Sequence, residues 1–159
     1  MKILKIDETL DCCEQHIIGA NASGTETEGL LTRAVLVFTC AAFEEQIAQM
    51  IARRADSLKD PAMAAFFKSC VSAVFRSTMS SELAGLMNRF GADFKERFLN
   101  RTRGHERAVT FYNNIVVNRH AAAHTQSINV TLRELRQFYE EGHVVLDFLE
   151  ETIKETYPP

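Results

Sequence analysis

Proline and glycine are both scarce. The 159 residues hold 3 prolines, of which Pro158 and Pro159 are the last two residues, and 7 glycines. Between Pro61 and Pro158 no proline removes an amide donor or clashes with a preceding helical turn, which disfavours β-rich architectures and points to helices. Cysteine is limited to Cys12, Cys13, Cys40 and Cys70, with no C-x-x-C pair. A core-forming chain of this size has no need of a disulfide framework, so the thiols are read as reduced and the chain as cytoplasmic. Long apolar runs are missing too. The stretch from Ala34 to Phe43 is interrupted by Thr39 and stops at Glu44-Glu45, short of the roughly 18–20 residues a bilayer needs, so no membrane span is expected. Lys5, Asp7, Glu8 and Asp11 break any apolar leader segment. Neither sign of charge dominates: 18 Lys and Arg stand against 21 Asp and Glu, a formal net charge of −3. The whole chain is therefore no polycation.

What is present suits a single domain over residues 1–159. Hydrophobic residues make up 46% and charged residues 25%, an ordinary globular balance. Asp7 is expected to cap a first helix reaching about Ile18, and Gly19 to Gly24 to form a loop. Thr25 and Glu28 have capping-box spacing and open a long helix over about 26–57. Its apolar residues fall on two stripes, one with Leu31, Ala34, Val35, Phe38 and Ala42, the other with Leu36, Cys40, Phe43, Ile47 and Ile51, so it reads as a central helix buried nearly all round. Asp60-Pro61 opens another helix. Ser80-Ser81 starts a short one that Gly91 stops, and Asp93 with Glu96 predicts a second capping box. Gly104 precedes a helix over about 105–124. Thr131 and Glu134 box the last one, with Val130 stapled to Leu135 and a core stripe running to Ile153. The fold class is all-α, an up-and-down helical bundle of five to seven helices.

Charge is unevenly placed. From Arg89 to Arg107 six basic residues (Arg89, Lys95, Arg97, Arg101, Arg103, Arg107) face three acids, whereas from Thr131 onward three basic residues face seven acids. A basic segment of this kind is either a polyanion contact or a solvated helix face. The run Asn118-Arg119-His120-Ala121-Ala122-Ala123-His124 carries the chemistry. Arg119 continues the apolar stripe of Ile115 and Val116, and a guanidinium there must face a partner, a cleft or an anion. Arginine binds phosphate through two N–H groups, and histidine titrates near neutrality as base or acid. Together they suit cleavage of RNA at phosphate without a metal. Arg119 and His124 point about 140° apart on an ideal helix, so they converge only if the helix frays or a second copy supplies one group. His120 and His124 at i, i+4 could also chelate a metal, and cations near a helix end could be no more than dipole partners.

Arg119-x4-His124, with polar His120 after the arginine, resembles the R-x4-H signature of HEPN domains. Arg33 to Ile47, with its aromatic-Glu pair Phe43-Glu44, is similar to the long second helix of the RiboL-PSP branch, and Asn129 to Glu150 to its closing helix. The resemblance implies a helical homodimer with a composite, metal-free endoribonuclease site that leaves a 2′,3′-cyclic phosphate, and no cofactor. Carried over residue by residue, Arg119 would bind the scissile phosphate, His124 would transfer protons, and His120 would orient or assist. Asn118 would flank them and Glu44 would support them. With this reading, Arg97, Arg101, Arg103 and Arg107 become expected RNA contacts. Such proteins often act as toxins or antiviral effectors, and a neutralising partner protein is a further expectation. HEPN toxins silenced by modification carry a tyrosine two residues after the histidine; here Gln126 stands there, so that route is not expected. The alternative is a non-catalytic HEPN-like module that binds RNA or protein.

Overall fold

A computed structural model describes residues 3–57, 60–74, 77–124 and 130–155; for residues 68, 70–74, 123 and 124 it describes the backbone alone. Among the described residues the structure is all helix: α1 (Leu4–Gly19), α2 (Glu26–Asp56), α3 (Pro61–Val74), α4 (Ser80–Phe90), α5 (Ala92–Thr102), α6 (Glu106–His124), α7 (Leu132–Gly142) and α8 (Val144–Lys154). The helical bundle expected from the sequence is present. The segment that reads as one closing helix is two, α7 and α8. His143 stands between them, its Nδ1 lying 3.2 and 3.0 Å from the carbonyls of Tyr139 and Glu140.

α2 is the hub, packed against α1, α3, α6, α7 and α8. It is long and apolar enough to cross a membrane by length and composition, and packing against five helices accounts for the part of that character that is buried. Its stripe of Leu36, Cys40, Phe43, Ile47 and Ile51 is buried, as expected. The other stripe is mixed: Val35 is buried and Leu31 and Ala42 pack half-buried against the core, whereas Ala34 and Phe38 are exposed, along with neighbouring Leu30 and Val37. α2 is therefore covered on one broad face and bare on the other. The Phe43 ring stacks on Tyr112 of α6 at 5.3 Å and on Tyr139 of α7 at 6.4 Å. α6 and α7 lie so close that a Cβ on Gly142 would sit 2.6 Å from the Tyr112 amide nitrogen. Only glycine permits that approach.

Several helix starts differ from expectation. α1 begins at Leu4, ahead of Asp7, because the Tyr139 hydroxyl accepts the Ile3 amide at 2.7 Å and anchors the chain there. Thr25 does not cap α2; its hydroxyl donates to the Ala22 carbonyl, and Glu28 accepts from the Gly24 amide instead. α5 has no side-chain cap from Asp93. The Asp60 cap is present, accepting from Ala62 and Met63, and so is the full Thr131–Glu134 box. The start of α4 is closed from a distance: Asn113 of α6 accepts from the Ser80 amide and donates to its hydroxyl, both at 2.9 Å.

Candidate active site

α2 and α6 meet where Phe43 stacks on Tyr112 and the Cys40 thiol points at the Ile115 carbonyl, 3.9 Å away. Burial of these groups sets what stands at the rim. Glu44 follows Phe43, and Arg119 lies one turn beyond Ile115, so packing the apolar neighbours delivers a carboxylate and a guanidinium to one place. Arg119 Nη2 lies 4.0 Å from Glu44 Oε1, with the two side chains 36% and 44% exposed. That distance is an ion pair but too long for a hydrogen bond. It is the only polar contact of Arg119 among the described residues. A guanidinium has five donors, so most of this one's donors have no partner among the described residues.

The groups beneath the pair are neutral. Burial pushes the Cys40 thiol up to about 12; Arg119 opposes that and Glu44 adds to it. The Tyr112 phenol is raised as well, by burial first, with Thr78 pulling the other way and Cys40 and Glu44 adding to the rise. The Thr78 hydroxyl is near enough to be felt, yet no hydrogen bond of proper geometry reaches the buried Tyr112 oxygen. A thiol this reluctant to ionise is no nucleophile, which leaves the rim pair as the exposed charged groups of the site.

Two of the expected site residues, Arg119 and Glu44, are thus brought together. Asn118 flanks them and donates its amide to the Asn114 carbonyl at 2.8 Å. His120 is half-buried on the next position of α6. His124 is the last residue of α6, and its side chain lies outside the described residues, as does all of Gln126. The 140° divergence from Arg119 therefore stands as a statement about helix geometry. Cys40 and Tyr112 are the groups that sequence motifs do not single out. Tyr112 is seven residues before Arg119, two helical turns, and that spacing alone would have placed it under the arginine.

The expected RNA-contact residues lie elsewhere. Arg107 and Arg119 are twelve positions apart on α6, roughly 18 Å along a helix. Arg107 holds Glu141 with both forks, Nε at 2.5 Å and Nη2 at 2.7 Å, and lies over the Phe111 ring. Arg97 and Arg101 are paired to Glu151 and Glu155 at the end of α8 and just beyond it. Arg103 is exposed, with no carboxylate within ion-pair distance among the described residues. Half of the basic segment, Arg97, Arg101 and Arg107, is thus paired with the acidic C-terminal segment. Among the described residues no three His, Cys, Asp or Glu side chains cluster as a metal-binding group.

No curated protein and no solved structure matches the chain. A family model, described as RiboL-PSP-HEPN, matches residues 4–155. That span takes in both α2 with its Phe43-Glu44 pair and α6 with its Arg119-x4-His124 run, so the chain belongs to the RiboL-PSP-HEPN family, whose wider fold group includes ribonucleases and non-catalytic members.

Proposed function

We propose that the chain is a metal-independent endoribonuclease of HEPN type. The observation that carries this reading is Arg119: a guanidinium on the core-facing stripe of α6, half-exposed, held by one carboxylate at 4.0 Å. A cation so lightly engaged can exchange Glu44 for a phosphate and hold it through two N–H groups. His124 takes the proton of the ribose 2′-hydroxyl, the 2′-oxygen attacks phosphorus, and the bond to the 5′-oxygen breaks. The products are a 2′,3′-cyclic phosphate and a 5′-hydroxyl, whose proton comes from a second imidazole, either His120 or the His124 of a second copy. Arg119 stabilises the charge that gathers on the phosphoryl oxygens.

A homodimer is part of this reading. It brings an arginine and a histidine that diverge on one helix to a common phosphate, and the exposed apolar residues Leu30, Val37 and Phe38 of α2 give the second copy a surface to cover. In the cell such an activity fits a cytoplasmic toxin or antiviral effector restrained by a neutralising partner. The second reading is a non-catalytic module in which Glu44 and Arg119 serve each other; their ion pair favours it. RNA cleavage in excess EDTA, with end-group analysis, separates the two. Cyclic-phosphate ends that disappear in Arg119→Ala and His124→Ala support the enzyme. Cleavage abolished by EDTA and restored by Mg²⁺, or variants as active as the parent, would end that reading.

A further inference from the structure

Glu155 lies just past α8, in extended backbone at φ −62° and ψ 125°. Its two oxygens are taken by two different arginines of α5: Arg97 Nη1 reaches Oε2 at 3.1 Å, and Arg101 Nη2 reaches Oε1. Arg97 and Arg101 are four residues apart, so their guanidinium groups stand side by side on one helix face. Each guanidinium gives one nitrogen to one oxygen of the same anion, and Arg101 Nη1 also holds Glu151 Oε2 at 2.6 Å. Two cations on the two oxygens of one anion is an arrangement with which proteins grip phosphate, because carboxylate and phosphate present the same two-oxygen edge to arginine. Burial would raise the Glu155 pKa, but Arg101 and Arg97 outweigh it and the net shift is downward, so the carboxylate is charged at neutral pH.

We propose that Arg97 and Arg101 form a binding site for a backbone phosphate of single-stranded RNA, and that Glu155 fills it as the chain's own phosphate mimic, which the RNA must displace. The inference rests on the reading of RNA as ligand. Glu155 is suited to leaving. It stands outside its helix and is tied by partly exposed ion pairs, which salt weakens. RNA is favoured over a phosphoprotein because the cations continue along the chain: Arg103, two residues on, is exposed and without a carboxylate partner among the described residues. A tethered competitor lowers apparent affinity by its effective concentration. The arginines thus stay closed to small anions and open to a strand that engages several cations at once.

The test uses the full chain and a 2′-O-methyl oligoribonucleotide, which cannot form the cyclic phosphate. Glu155→Gln and Glu155→Ala should bind it roughly three- to tenfold more tightly than the parent. The slope of log K against log salt should steepen by about 0.7 for each further phosphate that the arginines neutralise. Adding Arg97→Gln and Arg101→Gln to Glu155→Gln should abolish the tighter binding. Equal affinity and slope in the parent and both Glu155 variants would overturn the proposal. So would tighter binding that survives loss of the arginines, tighter binding of a phosphoserine peptide but not of RNA, or thermal destabilisation of the Glu155 variants with RNA binding unchanged. Because the probe is uncleavable, the outcome is separate from catalysis. Cleavage of ordinary RNA by the parent, with no tighter binding in Glu155→Gln, sinks this site alone. Tighter binding with no cleavage anywhere sinks the ribonuclease reading alone.

Discussion

The two ends of α6 carry arginines in opposite circumstances. At its start Arg107 grips Glu141 through both forks and lies over Phe111. Near its end Arg119 meets one carboxylate at 4.0 Å. Charge counted along the chain points to the first region, which is net basic, and passes over the second. Charge counted in space reverses the order, because acids of α7 and the end of α8 fold back onto the basic segment while, among the described residues, Glu44 alone pairs with Arg119. Availability of a cation is thus a property of its neighbours across the fold. A site can hold one arginine in a near-neutral chain and still be the better anion receptor.

The largest effect expected from breaking this contrast is on activity. Arg119→Ala and His124→Ala should each lower RNA cleavage by about 10²-fold or more, as removal of a charge-stabilising or proton-transferring group does. Arg107→Ala should leave it within about threefold of the parent, since Arg107 lies about 18 Å along α6 from Arg119 and is already paired with Glu141. Single-turnover cleavage rates read the difference. If Arg107→Ala proved as damaging as Arg119→Ala, pairing would be no guide to function in this molecule.

Between the two ends lies the contact that fixes α6 in place. In Gly142→Ala the new methyl would stand 2.6 Å from the Tyr112 nitrogen and 2.9 Å from its Cα. Both are backbone atoms, so α7 or α6 must shift. Overpacking of this kind costs about 1–3 kcal/mol, equivalent to a fall in Tm of roughly 2–12 °C at this chain length. Since Tyr112 is two turns before Arg119, cleavage should fall as well, even below the melting range. An unchanged Tm would show that the two helices are less tightly bound than the geometry says.

Local rules make most of the fold legible. The Thr131–Glu134 box, the Asp60-Pro61 start and the Gly104 boundary depend on neighbours within a few residues, and all three are found. What is not legible depends on distant partners. Asp7 loses the start of α1 to Ile3, because a tyrosine hydroxyl 136 residues away anchors that amide. The bare face of α2 reads as core because apolar residues on a helix do not say how many neighbours exist to cover them. Arg119 and Glu44 are legible as residues of interest through the family motif, but their meeting is not, as it depends on how α2 crosses α6. The box itself makes a prediction of about 1 kcal/mol: Thr131→Ala should destabilise by that amount at neutral pH. The Glu134 carboxyl is held below its ordinary value by its bonds from the Thr131 amide and hydroxyl. A depressed folded pKa contributes stability above the unfolded value of about 4.3, and that stability is lost as pH falls through the folded value. The gap between parent and variant in thermal melts should therefore narrow below about pH 4.3.

Beneath Arg119 the Tyr112 hydroxyl is buried without a well-formed hydrogen bond. An unmatched buried hydroxyl is a cost, so Tyr112→Phe should leave stability unchanged or raise it by up to about 1 kcal/mol, while keeping the ring that stacks on Phe43. A loss of more than about 1 kcal/mol in denaturant titration would mean that the hydroxyl has a partner after all, such as a bound water joining it to Thr78.

The smallest effect concerns what tight pairing is worth. The Arg107–Glu141 contact has good two-fork geometry, yet the Arg107 side chain is 69% exposed. Exposed pairs gain little, because water screens them and two long side chains lose freedom in holding one geometry. A double-mutant cycle with Arg107→Gln and Glu141→Gln should give a coupling of about 0.2–1 kcal/mol at low salt. Ionic strength near 1 M, where the screening length falls to about 3 Å, should remove most of it. A small, salt-sensitive coupling would complete the contrast between the two ends of α6. Arg107 would then be less available because its charge is already matched by a carboxylate at two-fork distance, not because the pair is strong, and Arg119 would be more available because its carboxylate stands farther off. A coupling well above 1 kcal/mol that survives high salt would instead make the pair a structural clasp, and the contrast would become one of stability as much as of availability.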